Sequence, residues 1–264
     1  MIIAQITDFH CPGEGGRTPP GFDPAADLAH AVGAVNALDP QPDLVIATGD
    51  LTDLNTPEEY ARVADLLRPL KAPLMAIPGN HDDKAPLVEA LAPIARTGPA
   101  APFVNHAEIW QDDGFGPVKI ILLDSQAPKT VGGVMCAARL AWLAGELARD
   151  PDLPTVIAMH HPPIKIGIVE FDGYGFEGLE AFRTLMDESP RVDLIMCGHI
   201  HRALTGRAGR APVVVSPSVT YSYPLELRPG VKLARKPEPP GFMLHVRTGP
   251  RDWTSHVQPL TPRP

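Results

Sequence analysis

The sequence predicts an α/β fold, a four-layer α-β-β-α sandwich of two mixed sheets flanked by helices. Three observations support it. Short apolar runs alternate with segments of helical spacing from Ile2 to Cys197, the pattern of layered sheets and helices. The apolar runs are uninterrupted, which implies sheets covered on both faces. Beyond His201 the pattern changes to short β-rich runs between Gly and Pro turns, which predicts antiparallel strands. A chain of 264 residues has ample length for a large core, and residues 1–264 are expected to form a single domain.

In chain order, residues 2–7 read as the first strand and end in Asp8-Phe9-His10. A Gly/Pro-rich loop over residues 11–23 follows, stiffened by Pro19-Pro20. Asp23 is placed to cap a helix over residues 24–38, with Pro24 in its first turn. Residues 44–47 form a second buried strand running into Thr48-Gly49-Asp50, and Thr56 and Glu59 make a capping box for a helix over 57–67. Residues 73–78 read as a third strand. At its end stand Gly79-Asn80-His81-Asp82-Asp83, before helical spacing over 84–95. Residues 118–123 form a strand ending at Asp124-Ser125, and 136–148 place Leu140, Leu143 and Leu147 on one helical face. A strand over 155–159 meets His160-His161-Pro162-Pro163, 178–187 is helical, and a strand over 192–197 ends at Gly198-His199-Ile200-His201. Residues 213–215, 242–246 and 253–257 are the late strands. The proline-rich connection 228–241 and the segment 167–178 are candidates for a lid or a dimer contact.

Composition narrows the function classes. Hydrophobic content of 44% and charged content of 20% suit a soluble globular protein. A formal net charge of −8 with no basic stretch argues against a general nucleic-acid or anionic-membrane binder. The apolar run after Met1 is too short to span a membrane and lacks the flanks of a signal peptide, so a cytoplasmic protein is expected. Cys11, Cys136 and Cys197 form no C-x-x-C pair and suit a reducing compartment, with Cys11 a small buried thiol. The 32 prolines are well above the usual share of about 5%. Many stand at loop edges and none form a long tract, so they predict stiff connections and not disorder.

The positions of the polar residues are the informative fact. Five apolar strands each deliver metal-competent side chains just past their last residue: Asp8 and His10, Asp50, Asn80 and His81, His160, then His199 and His201. Sites in α/β sheets form outside the carboxyl ends of strands, so these groups are expected to converge on one rim. Each motif alone also suits a structural turn, in which Gly supplies positive φ and Asn or Asp makes side-chain turn bonds. Five such turns at the same end of five strands point to a shared site.

Taken in order, D-x-H, G-D-x-x-D, G-N-H-D, H-H-P-P and G-H-x-H resemble the calcineurin-like metallophosphoesterase superfamily. Within it, the chain is most similar to the class III cyclic-nucleotide phosphodiesterase and glycerophosphodiesterase branch. Residues 78–84 (P-G-N-H-D-D-K), 159–163 (M-H-H-P-P), 197–201 (C-G-H-I-H) and the late 239–245 segment carry that closer likeness. The resemblance implies two metal sites sharing Asp50 as a bridging carboxylate. Asp8, His10 and His201 would complete the first, and Asn80, His160 and His199 the second. His161 would stand behind the ligands. His81 would bind no metal but would act on the substrate phosphate or leaving group, with Asn80 also touching substrate. Two divalent cations against the charges of Asp8 and Asp50 leave about two net positive charges, which favour a phosphate. Donors from His, Asp and Asn without thiolate suit Mn, Fe, Zn or Co. Such a pair activates water and clamps the attacking and leaving oxygens of a displacement.

Two departures bear on substrate. Protein serine/threonine phosphatases of the superfamily carry an arginine soon after the G-D segment, and residues 49–55 (G-D-L-T-D-L-N) have none. Close phosphodiesterase relatives often place a histidine after a P-S turn, where residues 217–221 (P-S-V-T-Y) put Tyr221. Tyr221 is therefore a candidate substrate contact, and Phe22 a second candidate pocket wall. Asp53, Asp82 and Asp83 either orient ligand histidines or are solvated turn acids, and Asp124-Ser125 is expected to support without ligating. His30, His106, His245 and His256 match no ligand position and read as ordinary histidines. The expected activity is hydrolysis of a small phosphodiester, of cyclic-nucleotide or glycerophosphodiester type, by a metal-activated hydroxide. The rivals are a phosphomonoesterase or nucleotide pyrophosphatase on the same site, and a metal-binding module without catalysis. The expected partner is a small-molecule diester, with no nucleic-acid polymer and no membrane, for a homodimer or larger homo-oligomer.

Overall fold

The structure, a computed structural model, describes residues 1–16, 21–236 and 238–261. Pro19, Pro20 and position 237 of the 228–241 connection lie outside the described residues. The first sheet contains β1 (Ile2–Ile6), β2 (Leu44–Ala47), β3 (Leu74–Ala76), β4 (Ala95–Arg96), β13 (Gly241–Arg247) and β14 (Trp253–Pro259). Its spatial order is β14-β13-β1-β2-β3-β4. The second contains β5 (His106–Trp110), β6 (Val118–Leu122), β8 (Thr155–Ala158), β10 (Val192–Cys197), β11 (Leu204–Ala208) and β12 (Ala211–Val215), in the order β11-β12-β10-β8-β6-β5. A separate pair joins β7 (Gly133–Val134) to β9 (Phe176–Glu177). The helices are α1 (Pro24–Asn36), α2 (Pro57–Leu67), α3 (Lys84–Leu91), α4 (Ala137–Arg149), α5 (Val169–Tyr174) and α6 (Leu179–Glu188).

Both sheets are mixed. β1, β2 and β3 run parallel while β13 and β14 pair antiparallel. In the second sheet β6, β8, β10 and β12 run parallel between antiparallel edges. Side chains alternate between the faces of a strand, so each apolar strand feeds two cores. Val45 and Ala47 pack under Leu28 and Val63 of α1 and α2. Their neighbours Leu44 and Ile46 meet Ile120, Leu122 and Met196 of the second sheet. Ile121, Ile157 and Ile195 turn the other way, onto Leu143 of α4 and Phe182 and Met186 of α6. Each such side chain contributes about 1.5–3 kcal/mol when fully buried. The result is the expected stack of helix, sheet, sheet, helix. All three cysteines are free, with Cys11 and Cys197 buried. Among the described residues, no helix is long and apolar enough to cross a membrane.

Some elements differ from expectation. The helix after Asp83 ends at Leu91, not at 95. Ala92 still holds helical backbone, but Pro93 lacks the N–H that would extend the hydrogen-bond ladder, so a turn follows and Ala95–Arg96 joins β3 as an edge strand. The strands β5 and β11 were not legible because, as edges, they bury little and read H-A-E-I-W and L-T-G-R-A.

The capping box of α2 is formed as expected, with Glu59 N–H donating to Thr56 Oγ1 and Thr56 N–H to Glu59 Oε2, both at 3.3 Å. Thr56→Ala is expected to lower the free energy of unfolding in urea by about 1 kcal/mol. An unchanged midpoint would show that the cap contributes nothing.

Candidate metal centre

The carboxyl ends of β1, β2, β3, β8 and β10 gather the polar motifs at one rim. Asp8, His10, Asp50, His199 and His201 all hold φ between 44° and 72°. This left-handed backbone costs an L-residue about 1 kcal/mol or more. It lets each short loop turn its side chain back toward the neighbouring strand ends. Adjacent glycines make room for the turns. Gly49 has φ of 95°. A Cβ on Gly79 would overlap the Asp50 carboxylate, and one on Gly198 would overlap Thr7 Oγ1.

Hydrogen bonds set the orientation of the donors. Asp8 accepts the His199 N–H with both oxygens, at 3.1 and 3.0 Å, and Asp50 Oδ1 accepts the His81 N–H at 2.9 Å. His160 Nδ1 lies 2.7 Å from the Thr48 carbonyl and His201 Nδ1 2.9 Å from the Tyr221 carbonyl. A carbonyl only accepts, so each Nδ1 carries a proton and each Nε2 of the neutral ring offers a lone pair. His160 Nε2 then faces Asn80 Oδ1 at 3.3 Å and Asp50 Oδ1 at 3.4 Å. His201 Nε2 lies 3.0 Å from His10 Nε2 and 3.4 Å from Asp8 Oδ1. His10 Nε2 is 3.6 Å from the other Asp50 oxygen, Oδ2. Ring nitrogens and side-chain oxygens thus converge at two neighbouring points, an arrangement that a proton or a metal cation satisfies.

Three groups of ligand atoms bear this out, each with its members within 4.8 Å of one another: Asp8, His10 and His201; Asp8, Asp50 and His160; and His160, His161 and His199. The donor set therefore offers candidate cation sites at neighbouring points of the rim, with Asp50 in the group it forms with Asp8 and His160. His161 is nevertheless engaged elsewhere, with Nδ1 2.8 Å from Ser125 Oγ. A fourth group, His10, Asp53 and His81, lies on the solvent side.

Burial and charge act together on these groups. Burial, reinforced by the Asp50 charge, pushes Asp8 up to about 7 against the pull of His160. Burial works against ionisation of Asp50 as well, yet His160 and His10 hold it well below the usual carboxylate range. Against the lowering effect of its own burial, Asp50 and then Asp8 raise His160 to about 9. A proton is therefore held strongly where the two carboxylates meet His160, and the same field favours a divalent cation. Burial keeps His199 (down to about 3), His201 and His10 neutral. Neutral imidazole is the form that ligates metal.

Asp82 knits the loops from behind, accepting N–H bonds from Leu51, Thr52 and Gly79 at 3.1, 3.2 and 2.9 Å. Asp53 faces His10 Nδ1 at 3.6 Å. Asp83 flanks α3 without a side-chain cap bond. Asp124 pairs with Lys84 at 2.6 Å. A cavity of about 250 Å³ opens over His10, Asp50, Asn80, His81, His199 and His201. Its far wall is Val131, Glu170, Phe171, Tyr174, Tyr223 and Leu233, none of which sequence reasoning singled out. The segments 167–178 and 228–241 thus both reach the mouth of the site. Tyr221 is buried, its ring stacked 5.4 Å from His10, with Phe22 edge-on to it. Tyr223, two residues on, lines the cavity together with Tyr174, whereas Tyr221 does not.

Residues 1–203 match the family model for calcineurin-like phosphoesterases. The chain belongs to this family. A probable glycerophosphodiester phosphodiesterase (GpdQ) of Arcobacter nitrofigilis is 33% identical to this phosphoesterase over 258 residues, covering 97% of this chain and 92% of the relative. A 3',5'-cyclic-nucleotide phosphodiesterase of a Nostoc species is 30% identical over 258 residues, covering 98% and 92%. The fold also matches a dimetal phosphatase from Danio rerio, with a TM-score of 0.64 at 14% identity over 99% of this chain and 96% of that one.

Because a methyl group at position 79 would displace Asp50, Gly79→Ala is expected to cost about 1–3 kcal/mol of stability. It should also reduce metal uptake, measured by dialysis and elemental analysis. Full metal content in that variant would show that the close approach of Gly79 to Asp50 is unimportant.

Proposed function

We propose that this phosphoesterase, as one unit over residues 1–264, hydrolyses a small phosphodiester, of cyclic-nucleotide or glycerophosphodiester type, at two divalent metal ions. The observation that carries this reading is the approach of Asn80 Oδ1 and Asp50 Oδ1 to His160 Nε2, at 3.3 and 3.4 Å, beneath a cavity of about 250 Å³. Such a cavity suits a compact organic phosphate better than a folded protein. The net charge of −8 argues against a polymeric nucleic acid. The names of the relatives from Arcobacter and Nostoc point to the same diester chemistry.

In this reading Asp8, His10, Asp50 and His201 hold one ion, and Asp50, Asn80, His160 and His199 hold the other, drawn from Mn, Fe, Zn or Co. When bound, the two ions supply Lewis acidity toward the phosphoryl group and lower the pKa of water. The chain does the rest. Asn80 is a neutral donor that leaves the site's positive charge uncancelled. His81 lines the cavity, and its Nδ1 is 2.9 Å from the Asp53 carbonyl. That bond fixes the ring and leaves Nε2 for the substrate. Against the effect of burial, the Asp50 charge and the Asp53 carbonyl raise the His81 pKa. A proton on Nε2 is then available to the phosphate or to the departing oxygen. Phe171, Tyr174 and Tyr223 form the wall against which the leaving group rests. Glu170, bonded to the Leu233 N–H at 2.8 Å, ties that wall together.

With Mn²⁺ loaded, a bis-aryl phosphodiester is expected to be cleaved faster than the matching monoester, and Asp50→Ala to abolish both. A monoester preference would favour a phosphatase instead. His81→Ala is expected to lower kcat by about 10²–10⁴-fold with metal content unchanged. Loss of metal in that variant would contradict the role given to His81.

A further inference from the structure

A line of polar side chains crosses the apolar layer between the two sheets, just below the metal-binding rim. Strand alternation puts Gln5 beside Ile3, His245 beside Met243 and Ser255 beside Trp253 on this inter-sheet face, whose other members are Ile, Leu, Met, Val, Ala and Trp. Gln5 and His245 are both completely buried. Gln5 Nε2 donates to the Cys197 carbonyl at 2.7 Å and to Thr48 Oγ1 at 2.9 Å. His245 Nε2 lies 3.0 Å from Gln5 Oε1, and His245 Nδ1 lies 2.8 Å from Ser255 Oγ.

The bonding sense of this chain is determined. With both amide protons of Gln5 engaged, its Oε1 only accepts, so His245 must carry its proton on Nε2. Nδ1 then accepts the Ser255 hydroxyl proton. Burial holds His245 neutral, down to about 3. Two large polar groups in an apolar layer are costly unless fully bonded. Hydrophobic residues at both positions would fill the same layer without that requirement.

Gln5 ends where the site begins. Thr48 precedes Gly49-Asp50, and its carbonyl accepts the His160 Nδ1 proton at 2.7 Å. Cys197 precedes Gly198-His199, and its carbonyl also accepts the Ser216 N–H at 2.9 Å. One side chain from the first sheet therefore holds the last residue of a strand in the second sheet, and a residue that orients a candidate ligand. We propose that Gln5, aimed by His245, is a positioning residue for the metal centre: it sets the distance between the β2 and β10 ends, and so between Asp50, His160 and His199. This rests on the reading that those residues hold metal.

The test uses the whole protein, cobalt(II) titrated by its visible absorption, and kinetics with a bis-aryl phosphodiester at saturating metal. Gln5→Met, close in shape but unable to donate, is expected to weaken cobalt binding about 10–100-fold, the range found when groups that orient metal ligands are removed. It should lower kcat with little change in KM. His245→Leu should reproduce this effect, and His245→Gln, which keeps a donor toward Gln5, should restore most of it. Ser255→Ala, on the partly exposed β14, should shift cobalt affinity in the same direction by less, and keeps the test open if Gln5→Met does not fold. Unchanged cobalt affinity and kcat in folded variants, with only the melting temperature lowered, would overturn the proposal. A wild-type protein that takes up no cobalt would overturn the metal-centre reading and the positioning role with it.

Discussion

The whole arrangement depends on backbone held in a costly conformation at the ends of strands. Asp8, His10, Asp50, His199 and His201 share left-handed φ values, and nothing in their side chains repays that cost alone. What permits it is the pair of parallel strand bundles behind them, buried on both faces, which over-determine where each strand stops. Gly49, Gly79 and Gly198 then let the loops approach within a side chain's width of one another. The fold supplies rigidity and the rim concentrates strain, a division common at sites built from strand ends.

That geometry has an electrostatic consequence. Main-chain carbonyls of Thr48 and Tyr221 take the Nδ1 protons of His160 and His201, so the Nε2 lone pairs turn inward onto carboxylates and an amide oxygen. Burial suppresses protonation of His10, His199 and His201, whereas the two aspartates raise it at His160. A cluster of this kind favours positive charge in its midst. An acidic protein can then attract a phosphate through a local field opposite in sign to its net charge.

Much of this was legible in the sequence because it follows local rules. Apolar strands ending in Asp, His or Asn announce both the sheets and the rim, and the Thr56–Glu59 capping box is readable by spacing alone. The edge strands β5 and β11 were not, since they bury too little for an apolar pattern to stand out. The segments 167–178 and 228–241 were legible as candidates for a lid, but the side chains they place in the cavity wall were not, for a different reason. Phe171, Tyr174 and Leu233 reach the site from segments distant in sequence, and no spacing rule links them. Tyr221 drew attention over Tyr223 through its position after the P-S turn, yet the turn directs its ring beneath His10. Gln5 left a faint signal, a lone amide in I-I-A-Q-I, whereas His245 read as an ordinary core histidine until its partners were in view.

The most direct measurement is anomalous diffraction from crystals grown with Mn²⁺. Two peaks are expected to flank the Asp50 carboxylate, one among Asp8, His10 and His201 and the other among Asn80, His160 and His199. A single peak, or one held by His160, His161 and His199 without Asp50, would contradict the two-metal reading.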